Sequence, residues 1–272
     1  MNLNKRIAII GCGNIGSAIA EGIIKEKKIE NENLMLTRRN TSSLEKYREH
    51  GVNIISDNVE AVAKAHIIIL CVTPQQLDGV LEEMKLTLEP GRHIIQSVVS
   101  GASINQIREK LGVDVPIIRV MPNLALSIQQ SMTCLSGEER DREAMDYTKE
   151  LFDCMGKTVE IHEELMVPAT ALCACGVAFF LRAIRAASQG GIEIGFHAEE
   201  ALLMAAQTAL GAAQLLLEDK AHPEREVDKV TTPRGCTIVG LNQMEHNGFS
   251  SSMIKGIVTS AEKAETLYSQ NE

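Results

Sequence analysis

Aromatic residues are scarce in this chain of 272 residues, which has no Trp, three Tyr and five Phe. Single-stranded nucleic acids bind on aromatic platforms, so that class of binding protein lacks its main side chains here. Basic residues are not in excess either, since 36 acidic residues against 27 Lys and Arg give a net charge of −9. The longest basic runs are the pairs Lys27-Lys28 and Arg38-Arg39. We therefore expect no nucleic-acid partner.

Paired cysteines are also missing. The seven Cys are an odd number and none has Cys-x-x-Cys spacing, so neither a disulfide framework nor a zinc site is predicted. No apolar signal region precedes the first predicted strand. The uncharged stretch Leu165–Leu181 is marginal for a membrane span and suits a helix in a protein interface. We expect a cytoplasmic chain that binds no metal and no membrane.

The whole chain has 44% hydrophobic residues, which are enough for a full core, and its first half alternates short β-rich runs with amphipathic segments. The predicted strands are Arg6–Ile10, Asn33–Thr37, Val52–Ile55, His66–Val72, His93–Ser97 and Ile117–Met121. The predicted helices are Ile15–Lys25, Thr41–His50, Asn58–Ala65, Leu77–Lys85 and Ile104–Leu111. Such alternation indicates an α/β fold, a doubly wound parallel sheet of the Rossmann type.

The pattern changes near residue 160, after which Ala, Leu, Glu and Gln dominate. Three long helices are predicted, over Leu165–Ala187, Ala198–Glu218 and Ser250–Ser269. The middle one is apolar over more than one face and needs partners on every side, which a second subunit can supply. We therefore divide the chain into a dinucleotide-binding domain, residues 1–160, and an all-helical domain for substrate and dimerisation, residues 161–272.

A Gly-x-Gly-x-x-Gly motif follows the first strand and opens the first helix. Its residues are Gly11, Cys12, Gly13, Asn14, Ile15 and Gly16. The glycines permit a tight turn, close approach of a diphosphate and close helix packing, and the helix N-terminus presents free N–H groups. A purely structural glycine turn is the alternative. The context of strand, loop and helix favours dinucleotide binding.

The residues after the second strand bear on which dinucleotide binds. An NAD-specific site usually has Asp or Glu there, whereas this chain has Arg38 and Arg39, whose guanidinium groups suit a 2′-phosphate. A solvated basic turn is the alternative. We predict NADPH as the preferred cofactor, with NADH possible.

Two further strands end in candidate ligand-binding residues. Cys71, Val72 and Pro74 lie at the end of the fourth strand, where ligands of open α/β sheets bind, and Val72 is expected near the ribose or nicotinamide. Ordinary strand termination explains the same residues. Asn123, after the last predicted strand, can donate or accept a hydrogen bond near the nicotinamide.

A Pro/Gly turn rich in threonine, VTTPRGCT from Val230 to Thr237, lies between two helices of the second half. If a helix begins near Thr237, its N–H groups and the threonine hydroxyls form a small anion site that fits a carboxylate. An N-capping loop without a ligand is the alternative.

With these motifs the chain resembles the pyrroline-5-carboxylate reductase family along nearly its whole length. The resemblance rests on the glycine motif, CVTPQ, RVMPN and above all KVTTPRGCTIVGLNQME. It implies a Rossmann domain, a helical domain that interleaves in a homodimer able to assemble further, and hydride transfer from NAD(P)H to the imine of 1-pyrroline-5-carboxylate, giving L-proline.

The resemblance also implies roles for single residues. Asn58 would contact the adenosine ribose, and Thr237 would lie near the ring nitrogen as the catalytic residue. The candidate substrate-binding residues are Thr231, Thr232, Gly235, Cys236 and Cys175.

The chain departs from the family pattern at its substrate end. Cys173 and Cys175 replace serines, Val177 replaces proline, and Arg234 replaces a glycine. Leu124-Ala125 replaces Thr-Pro, and a glycine expected within Ser127–Ser131 is absent. Two alternatives therefore stay open. One is a related NADP-dependent reductase of another imine or of a keto or hydroxy acid, and the other is a family member that binds NADP without catalysis.

Overall fold

The computed structural model describes Leu3, residues 5–219 and residues 221–269, in two compact units. The first unit comprises Met1–Cys175 with Ser260–Glu272, and the second Gly176–Thr259. These units differ from the division at residue 160, which stays a prediction about which part of the chain carries which role.

The first unit contains eight strands, β1 to β8 in chain order. Their bounds are Ile7–Ile10, Leu34–Thr37, Asn53–Ile55, Ile67–Leu70, Ile94–Ser97, Ile117–Met121, Ser131–Ser136 and Gly156–Glu160. Helices α1 to α6 span Asn14–Glu26, Asn58–Lys64, Pro74–Met84, Ile104–Leu111, Arg142–Asp153 and Met166–Ala169.

The strands form one sheet in the order β3-β2-β1-β4-β5-β6-β7-β8. All neighbouring pairs are parallel except β6 and β7, which are antiparallel. The predicted Rossmann-type sheet is confirmed, but the sequence prediction omitted β7, α5 and β8. The reversal between β6 and β7 extends a doubly wound sheet into a mixed one.

The core lies on both faces of this sheet. Along β1, Ile7 and Ile9 belong to one buried apolar cluster while Ala8 and Ile10 belong to the other. Successive side chains of a strand point to opposite faces, so a run of four apolar residues covered on both sides marks a central strand. The carboxyl ends of β1, β2 and β4 consequently meet at one edge of the sheet.

One predicted helix is of the 3-10 type. Thr41–His50 forms a 3-10 helix, with Asn40 Oδ1 accepting a hydrogen bond from the Ser42 N–H at 3.0 Å. Its two buried side chains, Leu44 and Tyr47, are three residues apart. That spacing matches three residues per turn and places both on the core side of a 3-10 helix.

The stretch Leu165–Ala187, predicted as one helix, is helical throughout but changes type. Thr170–Cys175 is a π-helical segment between α6 and α7, the latter spanning Gly176–Glu193. The other helices, α8 to α11, span Ala198–Asp219, Pro223–Lys229, Cys236–His246 and Phe249–Ser269. The sequence prediction omitted α9, and it considered a helix starting near Thr237, now α10, only as a requirement for the anion site.

The second unit leaves large apolar side chains exposed. Leu203 and Leu217 of α8 are 70% and 75% exposed, and a groove of about 1050 Å³ runs between Phe180, Ala209 and Phe249. Among the described residues, Glu163–Glu193 and Ala198–Glu218 are long and apolar enough to cross a membrane by length and composition alone, a test that core helices of soluble proteins also pass. An apolar patch of this size marks an interaction surface.

Candidate functional site

The glycine turn after β1 has the backbone that the motif predicts. Gly11 has φ +81°, and a Cβ there would overlap Val72 Cγ1 and lie 3.2 Å from the Cys71 carbonyl oxygen. A Cβ at Gly16 would lie 3.2 Å from Ile9 Cγ2 and 3.3 Å from Cys71 Cβ. Gly11 therefore serves the turn and Gly16 the packing of α1 on the sheet.

Gly13 faces open space and is the N-cap of α1. A Cβ there would meet nothing nearer than the Gly11 carbonyl oxygen at 4.0 Å. No side chain caps α1, and no acidic residue lies in its first turn, whose sequence starts at Asn14 and Ile15. The first N–H groups of a helix have no intrahelical acceptor, and the helix dipole makes that end positive. This end of α1 fits the diphosphate of a dinucleotide.

A chain of hydrogen bonds leads from the glycine turn to α3. The Gly11 N–H donates to Thr37 Oγ1 at 3.3 Å, and Thr37 Oγ1 donates to Asn58 Oδ1 at 2.6 Å. Asn58 Nδ2 in turn donates to Glu83 Oε2 at 3.0 Å. These hydrogen bonds fix the orientation of the Asn58 amide at the rim of the cleft that Gly11 and Glu83 also line.

The basic residues after β2 are exposed and line the same cleft as the glycine turn. Arg38 Nη1 donates to Ser43 Oγ at 2.7 Å, and Arg39 follows it in the chain. Neither guanidinium forms an ion pair among the described residues, so both keep their charge available for an anion. Such groups match a phosphate with paired donors.

These residues line one cleft of about 770 Å³. Of the predicted cofactor residues, the lining contains Gly11, Gly13, Arg38, Arg39, Asn58, Cys71 and Val72. It does not contain Cys12, Asn14, Ile15, Gly16, Pro74 or Asn123. Pro74 is the first residue of α3 and fixes where that helix starts. The remaining roles of the predicted residues stay predictions.

Sequence reasoning missed several residues that line the cleft. They are Ser56, Gln76, Gly79, Val80 and Glu83. A signal was present in α3, where Gln76, Val80 and Glu83 follow helical spacing and therefore share one face. Nothing in the sequence gave the strand order that brings this face opposite the end of β2.

The two thiols near the turn are not nucleophiles. Burial raises the pKa of Cys12 and, more strongly, that of Cys71, so both remain protonated at neutral pH. Cys12 lies beneath the turn with its sulfur 3.7 Å from Ser17 Oγ. The cleft is therefore suited to binding and positioning rather than to covalent catalysis.

Asn123 is 8% exposed, and its side chain is used within the first unit. Its Oδ1 accepts from the Ala125 N–H at 3.0 Å, and its Nδ2 donates to the Cys173 carbonyl oxygen at 3.3 Å. In the structure, the Asn123 side chain links the end of β6 to the π-helical segment by a hydrogen bond. The predicted contact with a nicotinamide stays a prediction.

The threonine-rich turn in the second unit is a β-turn. The Gly235 N–H donates to the Thr232 carbonyl oxygen at 2.9 Å, and Arg234 has φ +62°. With Pro233 at the second position, a positive φ at the third defines a type II turn, which favours glycine there. A Cβ at Gly235 would lie 2.5 Å from Thr232 Oγ1, so this glycine is required by space.

Helix α10 begins at Cys236, close to the predicted start at Thr237. Gly235 is its N-cap, and no side chain caps it. Thr231 Oγ1 donates to the Val227 carbonyl oxygen at 2.7 Å and so fastens the turn to α9. Thr237 and Cys236 are exposed in the first turn of α10. The free N–H groups and hydroxyl of this end fit a carboxylate.

The residues that depart from the family pattern at α6 and α7 lie in and beside the π-helical segment. Cys173 and Cys175 belong to that segment and are half-buried, while Val177 is the second residue of α7. Cys173 contacts Cys134 of β7, with 3.7 Å between the sulfurs. Single π-helical turns recur at functional sites. The sequence analysis did not predict this one.

Both halves of the chain match families of known proteins. Residues 6–101 match the family described as NADP oxidoreductase coenzyme F420-dependent, and residues 163–267 match pyrroline-5-carboxylate reductase dimerisation. A crystal structure of Plasmodium falciparum pyrroline carboxylate reductase with NADP bound superposes with a TM-score of 0.89, at 25% identity, covering 98% of this chain and all (100%) of that one.

Curated relatives carry the same name. Pyrroline-5-carboxylate reductase 1 of Dictyostelium discoideum is 53% identical over 98% of this chain, which spans 50% of that relative's length. Pyrroline-5-carboxylate reductase 2 of the same organism is 48% identical over 96% of this chain and 92% of its own length. The chain therefore belongs to the pyrroline-5-carboxylate reductase family.

Proposed function

We propose that this chain reduces 1-pyrroline-5-carboxylate to L-proline with NADPH, in proline biosynthesis. The observation that carries the proposal is the turn Thr231–Gly235 leading into the uncapped start of α10, which fits a carboxylate, in a chain that also has a cleft suited to a dinucleotide. A generic dinucleotide-binding protein needs only the cleft.

The first unit holds the cofactor in this proposal. The N–H groups at the start of α1 bind the diphosphate, and Asn58, oriented by Thr37, binds the adenosine ribose. Arg38 and Arg39 bind the 2′-phosphate, which favours NADPH over NADH. When bound, the cofactor supplies a hydride from its nicotinamide ring. The bound NADP of the Plasmodium falciparum relative supports this choice.

The second unit holds the substrate. The N–H groups at the start of α10 and the Thr232 hydroxyl anchor the carboxylate next to Gly235 and Cys236, while Thr231 holds the turn through its hydrogen bond to the Val227 carbonyl oxygen. Cys175, in the π-helical segment, stays a predicted substrate-binding residue. The Thr237 hydroxyl lies near the ring nitrogen and holds it by a hydrogen bond. A protonated imine is already electrophilic, so no side chain of unusual pKa is needed, and orientation and exclusion of water carry the catalysis.

We further propose a homodimer formed through the C-terminal helices, with larger assemblies built from such dimers, and a cytoplasmic location. The exposed side chains of Leu203 and Leu217, and the groove beside them, are the kind of surface that a second subunit covers. The matched dimerisation family supports the same reading against a membrane span. Light scattering of the purified chain measures the subunit number directly, and a monomer would remove this part of the proposal.

The experiment that tests the function follows NADPH and NADH oxidation by the folded chain with 1-pyrroline-5-carboxylate, and identifies proline as product. A panel of other cyclic imines, keto acids and hydroxy acids is run beside it. Turnover of pyrroline-5-carboxylate above the panel supports the proposal. Activity on another compound only, or NADPH binding without any turnover, would replace it by one of the two alternatives stated above.

A further inference from the structure

Cys134 and Cys173 form a pair of thiols within the first unit. Their sulfurs lie 3.7 Å apart, although the residues are 39 positions apart in sequence. Cys134 lies in β7 and Cys173 in the π-helical segment, so the contact joins the sheet to that segment. Among the described residues, no other two cysteine sulfurs are within hydrogen-bond contact of each other.

The surroundings of the pair differ on its two sides. Cys134 is 4% exposed and packs with Met121, Met166 and Ala169 in a small apolar cluster. Cys173 packs against the same cluster but is only half-buried. Cys173 is therefore the more accessible residue of the two to a small oxidant.

The contact also gives the two thiols different pKa values. Either sulfur can be the donor in this contact. With Cys134 as the donor, the hydrogen bond lowers the pKa of Cys173 to about 7 and raises that of Cys134. A thiol with a pKa near the ambient pH combines a large thiolate fraction with good nucleophilicity. Cys173 is thus the attacking sulfur and Cys134 the resolving one.

We propose that Cys134 and Cys173 are a redox-modification site that forms a reversible disulfide with hydrogen peroxide. The Cys173 thiolate attacks one peroxide oxygen, the O–O bond breaks, and hydroxide leaves, giving a sulfenic acid. The Cys134 sulfur then attacks the Cys173 sulfur, and water leaves. Overall, two thiols lose two electrons and two protons, and one peroxide becomes two waters.

The disulfide has a structural consequence beyond the pair. Its bond length of about 2.05 Å requires the sulfurs to approach from 3.7 Å. Any movement of the π-helical segment in this step acts on Asn123, because the Cys173 carbonyl oxygen accepts the hydrogen bond from Asn123 Nδ2. We expect lower reductase activity in the oxidised form, an effect that rests on the proposed function, whereas disulfide formation does not.

The test treats the folded full-length chain with hydrogen peroxide, alkylates the remaining thiols and maps the peptides by mass spectrometry. We expect a Cys134–Cys173 linked peptide, two hydrogens lighter than the separate peptides, that disappears after dithiothreitol. The C134S variant should stop at the sulfenic acid on Cys173, trapped by dimedone. The C154S variant, which changes a half-buried thiol next to Lys28, should form the disulfide as the unchanged chain does.

The result that would overturn the proposal is the absence of this linked peptide from folded protein, or a bond from Cys173 to another cysteine such as Cys175. Preferential oxidation of the exposed Cys236 with Cys173 intact would overturn it as well. Because the peptide map does not depend on turnover, failure of the reductase assay leaves this outcome readable.

Discussion

The Thr37 hydroxyl donates a 2.6 Å hydrogen bond to Oδ1 of Asn58, and the Thr37 hydroxyl oxygen accepts one from the N–H of Gly11. One buried side chain therefore ties the end of β2 to both the glycine turn and the start of α2. Oδ1 of Asn58 is occupied, so the amide presents Nδ2 toward the cleft side where Glu83 lies. The ribose contact proposed for Asn58 depends on this arrangement.

Replacing Thr37 by Val keeps the shape of the side chain and removes its hydroxyl. Two half-buried partners, the Gly11 N–H and Asn58 Oδ1, then lack their bonds, at a cost of about 1–3 kcal/mol each when no water replaces them. We expect a lower Tm and a KM for NADPH raised about tenfold, with the KM for pyrroline-5-carboxylate changed little. T37S, which keeps the hydroxyl, is the control, and equal KM values for T37V and T37S would contradict the role.

Replacing Arg38 and Arg39 together by Ala removes the cations proposed for the 2′-phosphate. Hydrogen bonds to charged groups contribute about 1.5–3 kcal/mol, so kcat/KM for NADPH should fall about tenfold to a hundredfold while that for NADH stays near its original value. Steady-state kinetics with both cofactors measure the ratio. R48A removes an exposed Arg paired with Glu45 elsewhere and should leave the ratio unchanged. An equal fall for both cofactors would refute the 2′-phosphate contact.

Replacing Arg234 by Gly should stabilise the second unit. The left-handed conformation at φ +62° costs a non-glycine residue about 1–2 kcal/mol, and glycine loses about 0.5–1 kcal/mol through the entropy of the unfolded chain. The net gain is about 0.5–1 kcal/mol in the free energy of unfolding, measured by denaturant titration. R225G, within α9, should destabilise by about 1 kcal/mol. A loss of stability in R234G would mean that the arginine side chain makes compensating contacts.

Replacing Thr237 by Val removes the exposed hydroxyl in the first turn of α10. One hydrogen bond contributes about 0.5–1.5 kcal/mol, so we expect kcat/KM for pyrroline-5-carboxylate to fall up to about tenfold, with the KM for NADPH unchanged. T237S retains the hydroxyl and should retain most activity. If T237V behaves like T237S, the hydroxyl has no part in the reaction.

The sequence was sufficient for the parts of the fold whose signal is local. Buried strands such as Ile67–Leu70 are continuous apolar runs, and their alternation with helices predicts the sheet. β8 lacks such a run because Gly156–Glu160 is an exposed edge strand with a single large apolar side chain, Val159. The short helix Pro223–Lys229 likewise has only Val227 to mark a face.

The site divides in the same way. Turn chemistry predicted the Gly11 conformation and the start of α10, but the chain from Thr37 through Asn58 to Glu83 depends on strand order, which is a tertiary property. Arg234 and Gln129 both have positive φ, at +62° and +60°. Both lie where the family pattern led us to expect a glycine. The resemblance therefore indicated turns at these places, although glutamine and arginine are not residues typical of a positive φ.

The most direct test uses NADPH deuterated at C4 of the nicotinamide, on the face from which the hydride leaves. The proposed function predicts proline that is one mass unit heavier, with the deuterium on ring carbon C5, the former imine carbon, and none when the deuterium is on the other face. Unlabelled proline from both preparations, or no proline from a folded chain that binds NADPH, would contradict the account.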